Sequence, residues 1–164
     1  MSFKLGGRIT MTYYFYPYWF IRPSPARTKL YLNSNYNIKF YYPEYWIKIA
    51  GYEERYGFQE GFFQISLLSD KSLSLDQIAK QEAFHQIGPY GSQPSIKTLN
   101  IQGQSARLIL PSSDQPHEMM KQAAIIVTYP TPIQLSGKKY EYFILWADTS
   151  HIQMIIQSLQ FLKQ

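Results

Sequence analysis

The chain has 164 residues and 45% apolar residues, enough for one domain with one ordinary hydrophobic core. It has no Cys, which excludes a disulfide framework, a thiolate metal site and a cysteine nucleophile. The formal charge of +5 is unevenly placed: Lys4, Arg8, Arg22, Arg27, Lys29 and Lys39 all precede Glu44, the first acidic residue, and the remainder is close to neutral. Attraction to phosphate or anionic lipid therefore has to come from the N-terminal end, and the neutral body argues against nucleic acid as a partner.

Residues 9–21, ITMTYYFYPYWFI, form the longest apolar run, but it falls short of the roughly 20 residues a membrane-spanning helix needs. Its tyrosines and central Pro17 make it a poor hydrocarbon helix. Arg8 before it and Ser24-Pro25-Ala26 after it sketch a signal peptide, without the Leu- and Ala-rich centre of a cleavable one. IRPSPAR, residues 21–27, has two prolines and reads as a linker. The expected division is a basic, aromatic arm over residues 1–27 and a single α/β domain over residues 28–164.

Within the domain, Tyr36, Ile38, Phe40 and Tyr42 alternate with Asn37, Lys39 and Tyr41, the period of two of a half-buried strand, which Pro43 stops. Trp46 to Ala50 restarts an apolar run. Residues 51–61 read as polar and turn-rich, and residues 62–68 as a strand. At residues 72–87 the period changes to three and four, predicting a helix with Ser74 as N-cap, Gln77 closing a capping box and Gly88-Pro89 as the stop. Residues 96–100 and 104–110 predict a hairpin turning at Gln102-Gly103. Residues 123–129 and 140–147 are continuous apolar runs, expected to be central strands covered on both faces. Ile152, Ile155, Ile156 and Leu159 fall on one helix face, with Asp148, Thr149 or Ser150 as cap and Phe161-Leu162 as an extended tail.

This order of parts resembles the PsbP-like superfamily. Phe40, Tyr42, Pro43 and Trp46 at the front and the strand-to-helix run from Phe143 to Leu162 at the back carry the resemblance. It implies an α+β fold, an antiparallel sheet covered by helices on both faces, in a protein that binds other macromolecules and is not an enzyme. Its members include photosystem II extrinsic subunits, a nuclear Ran-binding protein, and bacterial lipoproteins and ectodomains. The implied setting is extracytoplasmic or membrane-associated in a bacterium, although the chain has no lipobox cysteine.

A search for site chemistry gives bland readings. Asp114, His117 and Glu118 share a loop, but with no zinc-motif spacing they read as a polar connection, and no metal is expected. Gly103-Gln104-Ser105-Ala106-Arg107 starts like a nucleophile elbow, yet Arg107 replaces the second glycine and the segment reads as hairpin. Glu53, Glu54 and Glu60 read as acids facing water. No glycine-rich phosphate loop precedes a Lys-Ser/Thr pair. The expectation is thus a non-catalytic interaction or sensory domain, with no cofactor, that binds a protein partner or itself. A membrane surface is a further expected contact of the arm. The residues assigned to partner binding are Tyr14, Tyr16, Tyr18, Trp19, Phe20 and Arg22, where aromatics stand beside cations. The alternative is a domain that binds a sugar or aromatic compound by stacking on Tyr or Trp.

Overall fold

The structure is a computed structural model that describes residues 26–163. It is built mostly of antiparallel strands, with two helices. The strands are β1 (Thr28–Asn33), β2 (Ile38–Pro43), β3 (Ile47–Lys48), β4 (Arg55–Phe58), β5 (Gly61–Leu68), β6 (Ser95–Ile101), β7 (Gln104–Leu110), β8 (Gln122–Leu135), β9 (Lys138–Asp148) and β10 (Gln160–Phe161). The helices are α1 (Leu75–Ala83) and α2 (Ile152–Ser158).

The strands make two sheets. A seven-stranded sheet runs in the order β3-β4-β5-β9-β8-β7-β6, and a three-stranded sheet in the order β1-β2-β10. In β8, Ala123 to Val127 are all 0% exposed. Because successive side chains alternate faces, Ala123, Ile125 and Val127 enter one core and Ala124 and Ile126 the other. The continuous apolar run is therefore two interleaved faces, both dry.

The larger core lies between the two sheets. Tyr31, Phe40, Tyr42 and Trp46 meet Phe63, Phe143 and Leu145 there, joined by Ile152, Ile155 and Leu159 of α2. Rings pack edge-on or offset, as with Phe40 and Phe63 at 5.0 Å and 83°. The smaller core lies under α1, where Ile78, Ala79 and Ala83 cover Ile109, Ala124, Ile126 and Ile144. Thus α1 covers one face of the large sheet, while the other is covered by the small sheet with α2 beside it. A helix of seven residues is too short to cover a seven-stranded sheet alone.

Local chemistry accounts for the element ends. Ser74 and Gln77 form a capping box at the start of α1, whose last helical residue is Ala83, so His85 and Ile87 lie beyond it. Gln102 and Gly103 both have positive φ, at 52° and 83°, in the two-residue β6–β7 turn. The α2 cap differs from expectation. His151 occupies the cap position without a side-chain cap bond, and Asp148 accepts instead from the Ser150 amide at 3.1 Å and contacts His151 Nδ1 at 2.7 Å. Two strands were not anticipated: β1, inside a stretch whose alternation is interrupted by polar residues, and β4, inside the stretch read as turn.

Candidate functional site

At one end of the large sheet, the turn after Pro43 sends Trp46 inward and Tyr45 outward. Trp46 is 0% exposed and lies over Gly61, where a β-carbon would come within 2.8 Å of its ring. Tyr45 is left 56% exposed and meets Phe58 edge-on, with centroids 5.8 Å apart at 90°. Ile47 pairs across the ladder with Gly57, which has no side chain to cover it, and it is 64% exposed. Tyr52, in the turn between β3 and β4, is likewise exposed. The Arg55 guanidinium lies over its ring, 4.9 Å from the centroid, and also over the Phe62 ring at 4.3 Å. Partial burial there lowers the Arg55 pKa from its ordinary value. Four large apolar side chains are therefore exposed at the β3 end of the sheet, Tyr45 and Phe58 in contact and Ile47 on the opposite face from Phe58, where β3 is a two-residue edge strand with no strand on its other side among the described residues.

The turn between β4 and β5 also borders a groove of about 730 Å³, lined by Gln59, Glu60, Pro111 to Ser113, Gln115 to Glu118, Met120, Lys121 and Thr149. Its far wall is tied down by hydrogen bonds to backbone carbonyls. Gln115 Nε2 donates to the carbonyls of Pro89 at 2.8 Å and Gln122 at 2.9 Å, and the Thr149 amide donates to the Lys121 carbonyl at 3.0 Å. Asp114 accepts from Ser112 Oγ at 2.5 Å and from the Ser92 amide at 3.1 Å, which holds its pKa down at about 2. Gly91 is required beside this knot, since its φ is +82° and a β-carbon would come within 2.6 Å of Asp114 Oδ1. Gln59, Met120 and Lys121, all non-glycine residues with φ between 54° and 56°, lie on the groove wall. Such conformations persist only where surrounding contacts impose them, and they concentrate at binding loops. Gln59 directly follows Phe58, so groove and aromatic edge meet at one turn.

Other polar side chains are occupied in holding elements together. Glu82 Oε1 accepts from Tyr90 Oη at 2.6 Å and from Trp146 Nε1 at 2.8 Å, tying α1 to the sheet. Asp148, 5% exposed, accepts from the Phe62 amide at 3.1 Å as well as serving the start of α2. Glu54 does not simply face water, because it accepts from Tyr31 Oη at 2.5 Å. Burial and that bond push the Tyr31 phenol far above its ordinary pKa. Arg107 is paired with Asp76 at 2.6 Å, and Ser105 lies in the β6–β7 ladder opposite Asn100, so the would-be elbow is hairpin. Among the described residues, no three His, Asp or Glu side chains are grouped to hold a metal ion. None of their helices is long and apolar enough to cross a membrane.

Tyr14, Tyr16, Tyr18, Trp19, Phe20 and Arg22 lie outside the described residues. Tyr45, Ile47, Tyr52 and Phe58 were missed by sequence reading. The usable signal was the pair Tyr45-Trp46, in which opposite directions for consecutive residues imply that one ring is buried and one exposed.

No protein-family model matches the chain, and no curated protein matches it significantly. Among solved structures, it is similar to cyanobacterial PsbP (CyanoP) from Synechocystis sp. PCC 6803, at 12% identity and a TM-score of 0.46, over 85% of this chain and 95% of that one. It is also similar to the Ran-binding protein Mog1p of Saccharomyces cerevisiae, at 11% identity and a TM-score of 0.41, over 84% of this chain and 97% of that one.

Proposed function

We propose that this chain is a non-catalytic domain that binds a protein partner through the aromatic edge around β3. The observation that carries the reading is the joint exposure of Tyr45, Ile47, Tyr52 and Phe58, each 48–64% exposed, on one short sheet edge. Large aromatic side chains at a rim of mixed charge, here Glu44, Lys48 and Glu53, match the composition of partner-binding surfaces. Leaving them in water forgoes roughly 25 cal/mol for every Å² of apolar surface that a partner would cover. The engagement of Glu82, Asp148, Asp114 and Arg107 in structural bonds supports a non-catalytic role.

The arm residues Tyr14, Tyr16, Tyr18, Trp19, Phe20 and Arg22 are proposed to add to the partner contact. The basic arm suits a site beside an anionic membrane surface, in an extracytoplasmic or membrane-associated setting. The stacking alternative has less support, because the groove beside the β4–β5 turn is lined by Pro, Met and polar side chains with no Tyr, Phe or Trp.

The test places a photo-crosslinking phenylalanine derivative at Tyr45 of the full chain in its native cell, and at Thr98 of the opposite edge strand as a control. Crosslinking to a discrete protein from position 45 alone is expected, with loss of that protein's association when Tyr45→Ser and Phe58→Ser are combined. Equal or absent crosslinking at both positions would overturn the reading.

A further inference from the structure

Tyr31 reaches from β1 into the larger core, where it is 5% exposed, and its hydroxyl makes two bonds of opposite sense. It donates to Glu54 Oε2 at 2.5 Å and accepts from Asn33 Nδ2 at 2.9 Å. With Asn33 on one lone pair, the phenolic proton stays on the line to the carboxylate. The ring belongs to a run of touching aromatics. Tyr31 meets Tyr56 with centroids 5.8 Å apart, Tyr56 meets Tyr42 at 5.6 Å, and Tyr42 meets Trp46 at 6.4 Å. Phe40, at 4.8 Å, and Phe63, at 5.3 Å, also pack on Tyr31. Phenol and indole rings give up a single electron more readily than phenyl rings, and contacts this close let an electron pass between them.

Charge distinguishes the phenols of this run. Lys29 Nζ lies over the Tyr42 ring at 5.3 Å and Lys48 Nζ over the Tyr56 ring at 6.0 Å. A cation over a ring makes loss of an electron from it harder, because the positive charge left behind is repelled. Tyr31 instead has a carboxylate at its hydroxyl, which attracts that charge and can take up a proton. Lys48 Nζ also lies 3.9 Å from Glu54 Oε1, the oxygen that Tyr31 does not use. An oxidised phenol is a strong acid, so the ring whose proton has a base waiting holds the oxidation best. Burial, and then the bond to Glu54, keep the reduced Tyr31 phenol protonated far above its ordinary range, so its proton leaves only with the electron.

We infer that Tyr31 is a one-electron oxidation site, at which an oxidising equivalent entering the run of rings is trapped as a neutral tyrosyl radical. The Tyr31 ring gives one electron, directly or through Tyr56, to a one-electron oxidant of the class of oxyl radicals or oxidised metal complexes, which is thereby reduced. The O–H bond of Tyr31 breaks and its proton forms an O–H bond on Glu54 Oε2. Phenol and carboxylate thus become radical and carboxylic acid, while the Asn33 amide still donates to the radical oxygen. The surrounding core keeps the radical from coupling with a second phenol, the usual fate of an exposed tyrosyl.

The test uses the purified full chain and ruthenium(III) trisbipyridine, photogenerated with a cobalt(III) ammine as electron sink. It reads electron paramagnetic resonance and infrared difference spectra. A tyrosyl signal that outlives the one formed from free tyrosine in the same solution is expected, together with a new carboxylic acid carbonyl band. Tyr31→Phe, which keeps the ring, should lose both the persistent signal and the band. Glu54→Gln, which keeps an acceptor oxygen but has no carboxylate to protonate, should lose the band and shorten the signal to the lifetime found with free tyrosine. The band from the unmodified chain needs no substitution, so it decides the proton's route even where a variant fails to fold. Absence of a persistent signal or of the band from the unmodified chain would overturn the inference. A persistent signal left in folded Tyr31→Phe would overturn it too, by placing the radical on another ring, Tyr90 beside Glu82 included. None of these readouts depends on a bound partner or on the surface around β3.

Discussion

Trp46 lies against the α-carbon of Gly61 with its Nε1 buried and without a hydrogen-bond partner among the described residues. Trp146 instead donates from Nε1 to Glu82. The Trp46 indole is thus held by shape alone, wedged between Gly61, Tyr42, Phe63 and the ring of His151 at 4.8 Å. A methyl group at position 61 has nowhere to go without moving that ring. Gly61→Ala is expected to destabilise the fold by about 1–3 kcal/mol, the usual size of overpacking, read as a lower urea midpoint with unchanged slope. A midpoint equal to that of the unmodified chain would show that Trp46 yields freely. The glycine was visible in the sequence, but its reason was not, because residues 46 and 61 meet only through the fold.

At the scale of elements, α1 carries a complete set of local signals. Ser74 Oγ accepts from the Gln77 amide at 3.3 Å, Gln77 Oε1 accepts from the Ser74 amide at 2.8 Å, and Asp76 stands in the first turn. Ser74→Ala should cost about 1 kcal/mol, measured as a fall in thermal midpoint, and Ser74→Asp should restore most of it because the acceptor returns. Equal loss in both variants would place the effect of Ser74 outside capping. The strands divide by how locally they are specified. The β6–β7 hairpin was readable because Gln102-Gly103 dictates a tight turn between neighbours. By contrast β4 was hidden, since RYGF has only four residues and an apolar alternation broken by Gly57. It is a strand because β5 supplies its ladder, from Arg55 opposite Gln64 to Phe58 opposite Gly61. Of the exposed aromatics of the candidate site, Phe58 lies on that strand and Tyr52 in the turn before it, and for that reason this part of the site was not legible.

At the scale of the molecule, phenols are distributed through both cores. Tyr31 and Tyr129 sit in the larger core and Tyr90 in the smaller, each pushed well above its ordinary pKa, with burial the first cause. Tyr36 is pushed up to about 12, by burial first and then by the charges of Glu53 and Glu54. A phenol whose pKa is raised on folding binds its proton more tightly in the folded state. Its contribution is therefore complete below the unfolded value near 10 and is lost as pH rises through the folded value. Stability should hold to about pH 10 and fall between about 10 and 12, with phenolate absorbance appearing together with loss of circular dichroism. Phenolate formation in all 15 tyrosines near pH 10 without unfolding would contradict this placement of the rings. Tyr36→Phe should soften the alkaline fall.

The sequence by itself determined the elements whose information is local: the capped helix α1, the glycine turn of the β6–β7 hairpin, the two dry central strands and the apolar face of α2. It also located the basic excess ahead of Glu44 and left the remainder nearly neutral, because charge is additive along a chain. Only the tertiary structure decided that the second face of the large sheet is covered by a small sheet with α2 beside it. The same holds for Tyr45 and Phe58 meeting in the open, and for Leu30 and Leu32 standing exposed on β1. Burial and edge status are relations between segments distant in sequence. A strand's own residues specify which side chains alternate, and its neighbours specify which face and which edge remain for a partner.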